Sequence, residues 1–406
     1  MVCILTGSFT ERRIPLKADT VEQNKKGKIR TIVAVVAIVL IVAVSAFLAA
    51  KFLPGASQGA DADEDYADVQ KGADSSYSQS ERGFPLSFSS NDIVSVGSAG
   101  SYVYVVSNEV LFGVSSSGKL SFSEVINYSE PVIKTAGDYA FVFDRMSGKF
   151  VLCRKSKVVY KGQSENSQQI VTATVASNGN FAVASRSSDA ACLLTYYSKK
   201  GERLFQWECS RDHIVSIAVS SNTKGLVCAA LSAEGGEIVT KVYLLDIYSD
   251  KTEWEYTVKD SAAINISFAS GNRKFDLLCT DRRILLDSSS NSVSSESSFS
   301  SELLDSYSDP NGYAVTLTRK FGAINKYELT CYSSDNSVCY VYETDKKVTD
   351  VFCAGKKAYI LTQDSIICVS SSGKESKTIE LSSASLGLYV SGGSIYHYSL
   401  NNLYKH

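Results

Sequence analysis

"VGSAGSYVYVVSNEVLFGVSSSGKLSF" (96–122) and "VFCAGKKAYILTQDSIICVSSSGKESK" (351–377) align without a gap. They share Val96/Val351, the Ala-Gly pairs 99–100 and 354–355, Tyr104/Tyr359, and the hexapeptide VSSSGK at 114–119 and 369–374. Other apolar positions correspond as well, such as Val105 with Ile360 and Leu111 with Ile366. Within each copy apolar and polar residues alternate, Val, Ile and Tyr dominate the runs, and Gly, Asn and Ser close them, which is the pattern of half-buried strands joined by tight turns. The two copies are turns of one repeating architecture.

Degenerate forms of the same unit fill the interval: "YAFVFDR…KFVLCRKSKVVYKG" (139–162), "FAVASRS…ACLLTYYSKKGERLFQWE" (181–208), "GLVCAALS…KVYLLDIYSDKTEWEYT" (225–257), "FDLLCTDRRILLDSSS" (275–290) and "YAVTLTR…YELTCYSSDNSVCYVYE" (313–343). Six steps between the two copies give about 42 residues per step, inside the range of four-stranded propeller blades. The pattern predicts an all-β chain folded as a β-propeller, since no amphipathic helix follows residue 53. Seven units run from about 93 to 382, and "LGLYVSGGSIYHYSLNNLYKH" (386–406) starts another that is cut short. Its missing outer strand is expected from "FPLSFS" (84–89), which would close the ring and remove the exposed sheet edge. Eight blades is the preferred count and seven the alternative. The serine run 287–302 is expected to be a mobile loop, because serine tracts rarely pack.

Three further segments precede the repeat. Residues 1–30 carry seven basic and three acidic side chains. Next, "TIVAVVAIVLIVAVSAFLAA" (31–50) runs without a charge, long enough for a helix to cross ~30 Å of hydrocarbon. It is too long for the core of a cleaved signal peptide. Lys25, Lys26, Lys28 and Arg30 just before it place the N-terminus in the cytoplasm by the positive-inside bias. Residues 54–82 have seven acids against Lys71 and Arg82, a composition too polar to bury a core. The expected organisation is a cytoplasmic basic leader (1–30), a transmembrane signal anchor (31–53), an acidic disordered stalk (54–82) and an extracytoplasmic propeller (83–406) in the cell membrane.

The propeller segment holds 31 basic and 33 acidic residues, which argues against a nucleic-acid partner. Its nine cysteines mostly sit singly in apolar runs such as "GLVCAAL" and "SIICVS", where a thiol behaves as a small buried hydrophobe. Only Cys331 and Cys339, in one hairpin, are placed to pair. No CxxC or Cys/His cluster suggests zinc, and no calcium loop, P-loop or GxGxxG is present, so neither cofactor nor metal is expected. Among catalytic types, His213, His397 and His406 lack a nucleophile in a recognisable setting and read as structural, the last as a mobile terminus. Asp144 ("FVFDRMSG") and Asp281 ("LLCTDRR") each follow an apolar strand and precede Arg145 or Arg282, which fits turn carboxylates capping backbone N–H groups better than general acids. No residue is named as catalytic.

"GFPLSF" (83–88), "DYAFVFDRMSG" (138–148) and "SNGNFAVAS" (177–185), with the order leader, span, stalk and degenerate units, resemble an uncharacterised family of membrane-anchored proteins from Gram-positive anaerobes. The resemblance covers about residues 30–406 and implies placement and fold, with no site residues. Likeness to quinoprotein-type and WD40 propellers is architectural only. The expected function is a non-enzymatic binding or scaffold module of the cell envelope with a protein or polymer partner. The alternatives are a funnel-site enzyme on glycan or peptide, or a sensor signalling through the leader.

Overall fold

The structure is a computed structural model that describes residues 77–80, 83–88, 91–249, 252–270, 272–320, 322 and 325–406. The leader (1–30), the span (31–53) and most of the stalk lie outside the described residues. Among the described residues no helix is long and apolar enough to cross a membrane.

Ala73–His406 is one compact unit of eight antiparallel sheets. Blade 1 comprises strands Ile93–Ala99, Tyr102–Ser107, Val110–Ser115 and Leu120–Val125, paired in chain order. Blades 2 to 7 repeat that order over residues 131–163, 170–209, 213–259, 263–298, 303–344 and 348–380. Blade 8 takes Gly387–Ser391, Ser394–Tyr398 and Asn402–Lys405 from the end of the chain, and its fourth strand, Leu86–Phe88, from the front. First strands of successive blades lie against one another around a central channel, least closely between blades 5 and 6. The eight-blade reading and its closure by "FPLSFS" are therefore correct.

Closure is built from backbone and apolar side chains together. Leu86 pairs with Leu403 and Ser87 with Asn402, and Phe88 N–H donates to Asn401 O (2.9 Å). Leu86 and Phe88 are fully buried. Phe88 meets Phe112 of blade 1 at 4.8 Å between ring centroids. Tyr77–Gln79 adds a fifth strand outside Leu86–Phe88. Three residues expected in the disordered stalk are thus sheet: six of the seven stalk acids lie before them, and "YSQ" meets a free edge it can pair with.

The VSSSGK hexapeptides link third to fourth strands. Ser115 N–H donates to Lys119 O (2.9 Å) and Gly118 N–H to Ser115 O (2.9 Å); Ser370/Lys374 and Gly373/Ser370 repeat this at 2.8 and 2.9 Å. Gly118 and Gly373 have φ of 88° and 78°, the left-handed region that glycine enters without penalty. Each also touches the preceding blade. A Cβ on Gly118 would come within 2.7 Å of Gly83 O, and one on Gly373 within 2.8 Å of Tyr340 Cβ. The hexapeptide recurs because the turn and the blade contact both exclude a side chain.

Between blades, apolar faces form successive cores. Phe141 and Phe150 of blade 2 pack on Phe181 and Tyr197 of blade 3, with Phe141–Phe181 stacked at 4.8 Å and Phe181–Tyr197 at 5.1 Å. Burying each such side chain contributes about 1.5–3 kcal/mol. Most of the cysteines belong to these cores, Cys192, Cys209 and Cys228 between blades 3 and 4 and Cys353 between blades 6 and 7. All nine described cysteines are free thiols, Cys331 and Cys339 among them. Cys331 lies opposite Tyr340 in the ladder, and a register shift there leaves Cys339 without an opposite residue.

The serine run departs from expectation. Ser292–Ser298 is the outer strand of blade 5, paired with Arg282–Asp287 along its length save for a register shift at Ser294. An outer strand needs only backbone pairing on its inner edge, so small polar side chains suffice. His406 is held too: its N–H donates to Ile395 O at 2.8 Å and its carbonyl accepts from Ile395 N–H at 3.3 Å.

Candidate functional site

The channel is the site that the fold positions. First strands of blades 1, 3, 4, 5, 6 and 7 all shift register just after their start, ahead of Ser95, Thr172, Ser216, Asn265, Asp305 and Asp350. A bulge turns the following polar side chain out of its own ladder. Three of these side chains reach the next blade at the equivalent backbone position. Ser216 Oγ accepts from Ile266 N–H (3.1 Å), Asp305 Oδ2 from Val351 N–H (3.1 Å) and Asp350 Oδ2 from Leu388 N–H (2.7 Å). Asp305 Oδ1 also accepts Ser306 N–H (2.7 Å), so the seam between blades 5 and 6 is held differently.

That seam has a buried ion pair. Arg283, fully buried, donates through Nε and Nη2 to the two oxygens of Asp276 at 2.8 Å each. Its remaining N–H groups reach blade 6 at Gly312 O (2.9 Å) and Ser333 O (3.0 Å). A planar fork with its hydrogens satisfied is the one form in which a charge tolerates such burial.

Two residues along from the bulge, one position circles the channel with an uneven composition. It is Gly97 on blade 1, Lys134 on blade 2, Ser267 on blade 5, Tyr307 on blade 6, Phe352 on blade 7 and Tyr389 on blade 8. Tyr307 and Phe352 stack at 3.9 Å and Phe352 meets Tyr389 edge-on at 5.2 Å, giving an aromatic arc on one side. Lys134 stands on the blade diametrically across from Tyr307. All six residues line a cavity of about 750 Å³, which Asp350 and Asn265 also line.

The charges in this channel are strained by their surroundings. Lys134 is reached by solvent yet encircled by protein, and loss of bulk hydration lowers its pKa, with no carboxylate acting against that. Desolvation raises Asp350 to about 7, Asp305 nearby adds to it, and N–H bonds from Leu388 and Val351 only partly oppose it. Asp305 is raised by the same loss of solvent. A carboxyl near neutrality can hold or release a proton or meet a cationic group.

Residues singled out in the sequence lie elsewhere. Asp144 is buried in a turn: Oδ1 accepts Glu130 N–H (2.9 Å) and Met146 N–H (3.1 Å), and Oδ2 accepts the Ser147 hydroxyl (2.7 Å). Desolvation works against its charge, but those bonds outweigh it and lower the pKa. Asp281 accepts the Ser261 hydroxyl and Arg282 Nε (2.9 Å), so its pKa too is lowered despite partial desolvation. His213 opens the first strand of blade 4 and is exposed. His397 is buried between Tyr404 (4.5 Å) and His406 (5.0 Å), with Ser385 Oγ at 2.9 Å from Nδ1. Desolvation, with His406 beside it, lowers His397 to about 4. None of these touches the channel cavity. Among the described residues no group of three or more His, Cys, Asp or Glu side chains could hold a metal ion. Asp305, Asp350 and Lys134 escaped the sequence reading, although a lone acid inside the apolar strand "VTDVFCA" was a signal for one of them.

A closed eight-bladed β-propeller with a charged, aromatic-walled channel is the class defined by this fold and site. The chain belongs to a family described as Family of unknown function (DUF5711), which matches residues 75–401. Three solved structures share the fold. BamB from Moraxella catarrhalis is 12% identical with a TM-score of 0.51, the similarity covering 77% of this chain and 92% of that one. Sqt1 from Saccharomyces cerevisiae is 10% identical with a TM-score of 0.56, covering 79% and 98%. AztD from Citrobacter koseri, in its apo form, is 12% identical with a TM-score of 0.50, covering 72% and 87%. At these identities the likeness speaks for architecture alone. No curated protein matches the chain.

Proposed function

We propose that this protein is a non-enzymatic recognition module of the cell envelope, anchored by residues 31–53 with the propeller outside the membrane and engaging a protein or polymer partner. The observation that carries the reading is the channel, a cavity of about 750 Å³ with an aromatic arc on one wall and a lysine across from it. Concave sites with a few convergent polar groups on an apolar wall are the usual form of a recognition site. The anchoring rests on the uncharged run 31–50 behind four cations. Crosslinking and pull-down from intact membranes test the whole reading, with a form lacking residues 54–72 as control. A discrete partner retained by the parent supports it; recovery of the chain in the soluble fraction, or no partner above background, overturns it.

A second reading has one observation in its favour. Asp305 and Asp350 place two carboxyls near the same channel with raised pKa values, the arrangement that acid–base hydrolysis of glycan or peptide would use. Turnover of cell-wall fragments that disappears in D350N would favour it over recognition alone.

A further inference from the structure

The channel holds opposite charges that the protein itself leaves uncompensated. Among the described residues no hydrogen bond or ion pair reaches the Lys134 ammonium, and no basic side chain pairs with Asp305 or Asp350. The two carboxyls accept backbone N–H groups of the next blade, from Val351 and Leu388, and have no cationic side chain beside them. Lys134 and Asp350 nevertheless line one cavity, on blades 2 and 7, with Tyr307, Phe352 and Tyr389 forming the wall beside the acids. Asp350, largely withdrawn from solvent, is costly to ionise unless something pairs with it, and Lys134, still reached by solvent, has its ammonium available for an anion. A guest with one charge would relieve one end only; a guest with both relieves both, and its apolar middle can lie on the aromatic arc, where an ammonium also gains cation–π attraction.

Length narrows the guest. Asp350 lies two residues before Phe352 along its strand, and Phe352 shares its ring position with Lys134. The two charged ends are therefore offset by about 6–7 Å along the channel axis, besides their separation across it. An extended chain spans about 3.3–3.6 Å per residue, so the axial offset alone takes about two residues and the distance across the channel sets about two to three as the least a guest can have. In a single α-amino acid the ammonium and carboxylate flank one carbon, which leaves one end unmet.

We propose that the channel binds a short zwitterionic peptide, its ammonium end held at Asp350, its carboxylate end on Lys134, and its middle against Tyr307, Phe352 and Tyr389. The inference rests on reading the ring as a recognition module and names the ligand class of that site.

The test is isothermal titration calorimetry on the Ala73–His406 unit, whose ring closes on its own strands. The probes are alanyl-leucyl-alanine and alanyl-tyrosyl-alanine, their N-acetyl and C-amide forms, and free leucine and tyrosine. At least one free tripeptide is expected to bind saturably, with each cap weakening binding about tenfold or more and the free amino acids binding more weakly. K134M should remove the difference between acid and amide, and D350N the difference between amine and acetyl. The proposal is overturned if no free tripeptide saturates by about 10 mM, or if capping either end leaves affinity unchanged. The capped peptides test it on the parent protein even if a variant fails to fold. Absence of peptide binding alongside capture of a membrane partner would remove this inference and leave the recognition reading standing.

Discussion

Replacing Asp350 by asparagine is expected to stabilise the ring, and more so at alkaline than at acid pH. The carboxyl sits at about 7 in the folded chain against 3.8 for an ordinary aspartate, chiefly through desolvation and secondarily through Asp305. Because the folded value lies above the unfolded one, the contribution of Asp350 to stability is complete below pH 3.8 and is lost as pH rises through about 7. Each unit corresponds to about 1.4 kcal/mol, so the full shift sets a ceiling of about 4 kcal/mol, which solvent in the channel reduces to about 2–4 kcal/mol. Asparagine Oδ1 can still accept the Leu388 N–H that Asp350 Oδ2 accepts at 2.7 Å, so the bond between blades 7 and 8 survives. Urea denaturation followed by circular dichroism at pH 5, 6.5 and 8 reads the difference between D350N and parent. The variant should be more stable by about 2–4 kcal/mol at pH 8, with the advantage shrinking by about 2 kcal/mol at pH 5. A difference that is the same at both ends of this range, or a variant less stable at pH 8, would refute the placement of Asp350 in a desolvated wall.

Other perturbations have definite outcomes. R283M leaves Asp276 buried without its partner and should cost about 3–5 kcal/mol by chemical denaturation, with D276N/R283M recovering part of that loss. Deleting residues up to 88 removes Leu86 and Phe88 from the closing blade; thermal melts should show a large drop in Tm, and size-exclusion chromatography should show self-association through the freed edge. His397, held at about 4 against 6.5 for a free imidazole, makes the parent lose up to about 3 kcal/mol as pH falls from 6.5 to 4, because the unfolded chain takes up the proton first. H397F should flatten that part of the stability profile, as read by denaturation midpoints at pH 4.5 and 7.

Much of this architecture could be read along the chain. VSSSGK announced itself twice because the turn it makes needs a positive φ at Gly118 and Gly373 and room for the neighbouring blade, constraints that few residues meet. Alternation gave the strands, and the truncated last unit gave the closure, since a ring with seven complete units and a fragment must borrow its missing strand. The channel was harder to see. Its lining residues sit one per blade, so Lys134, Tyr307, Phe352 and Tyr389 come together only once the blades are superposed on their bulges, and bulges leave no mark in apolar periodicity. Asp305 and Asp350 looked like ordinary polar positions of alternating strands. Composition misled at Ser292–Ser298, where backbone pairing with Arg282–Asp287 makes a strand out of residues with little to bury.

The borrowed strand also sets the order of events during synthesis. Leu86–Phe88 leaves the ribosome early and can pair at once with Tyr77–Gln79, but its other edge waits for Asn402–Lys405, which comes after every other blade strand. A nascent chain must therefore carry seven finished wedges and an unsealed seam until Asn402–Lys405 emerges, and long-range pairing of this kind is slow to form. Loss of Asn402–Lys405 yields an unsealed ring rather than a smaller one, so this tetrad alone decides whether the seam can shut.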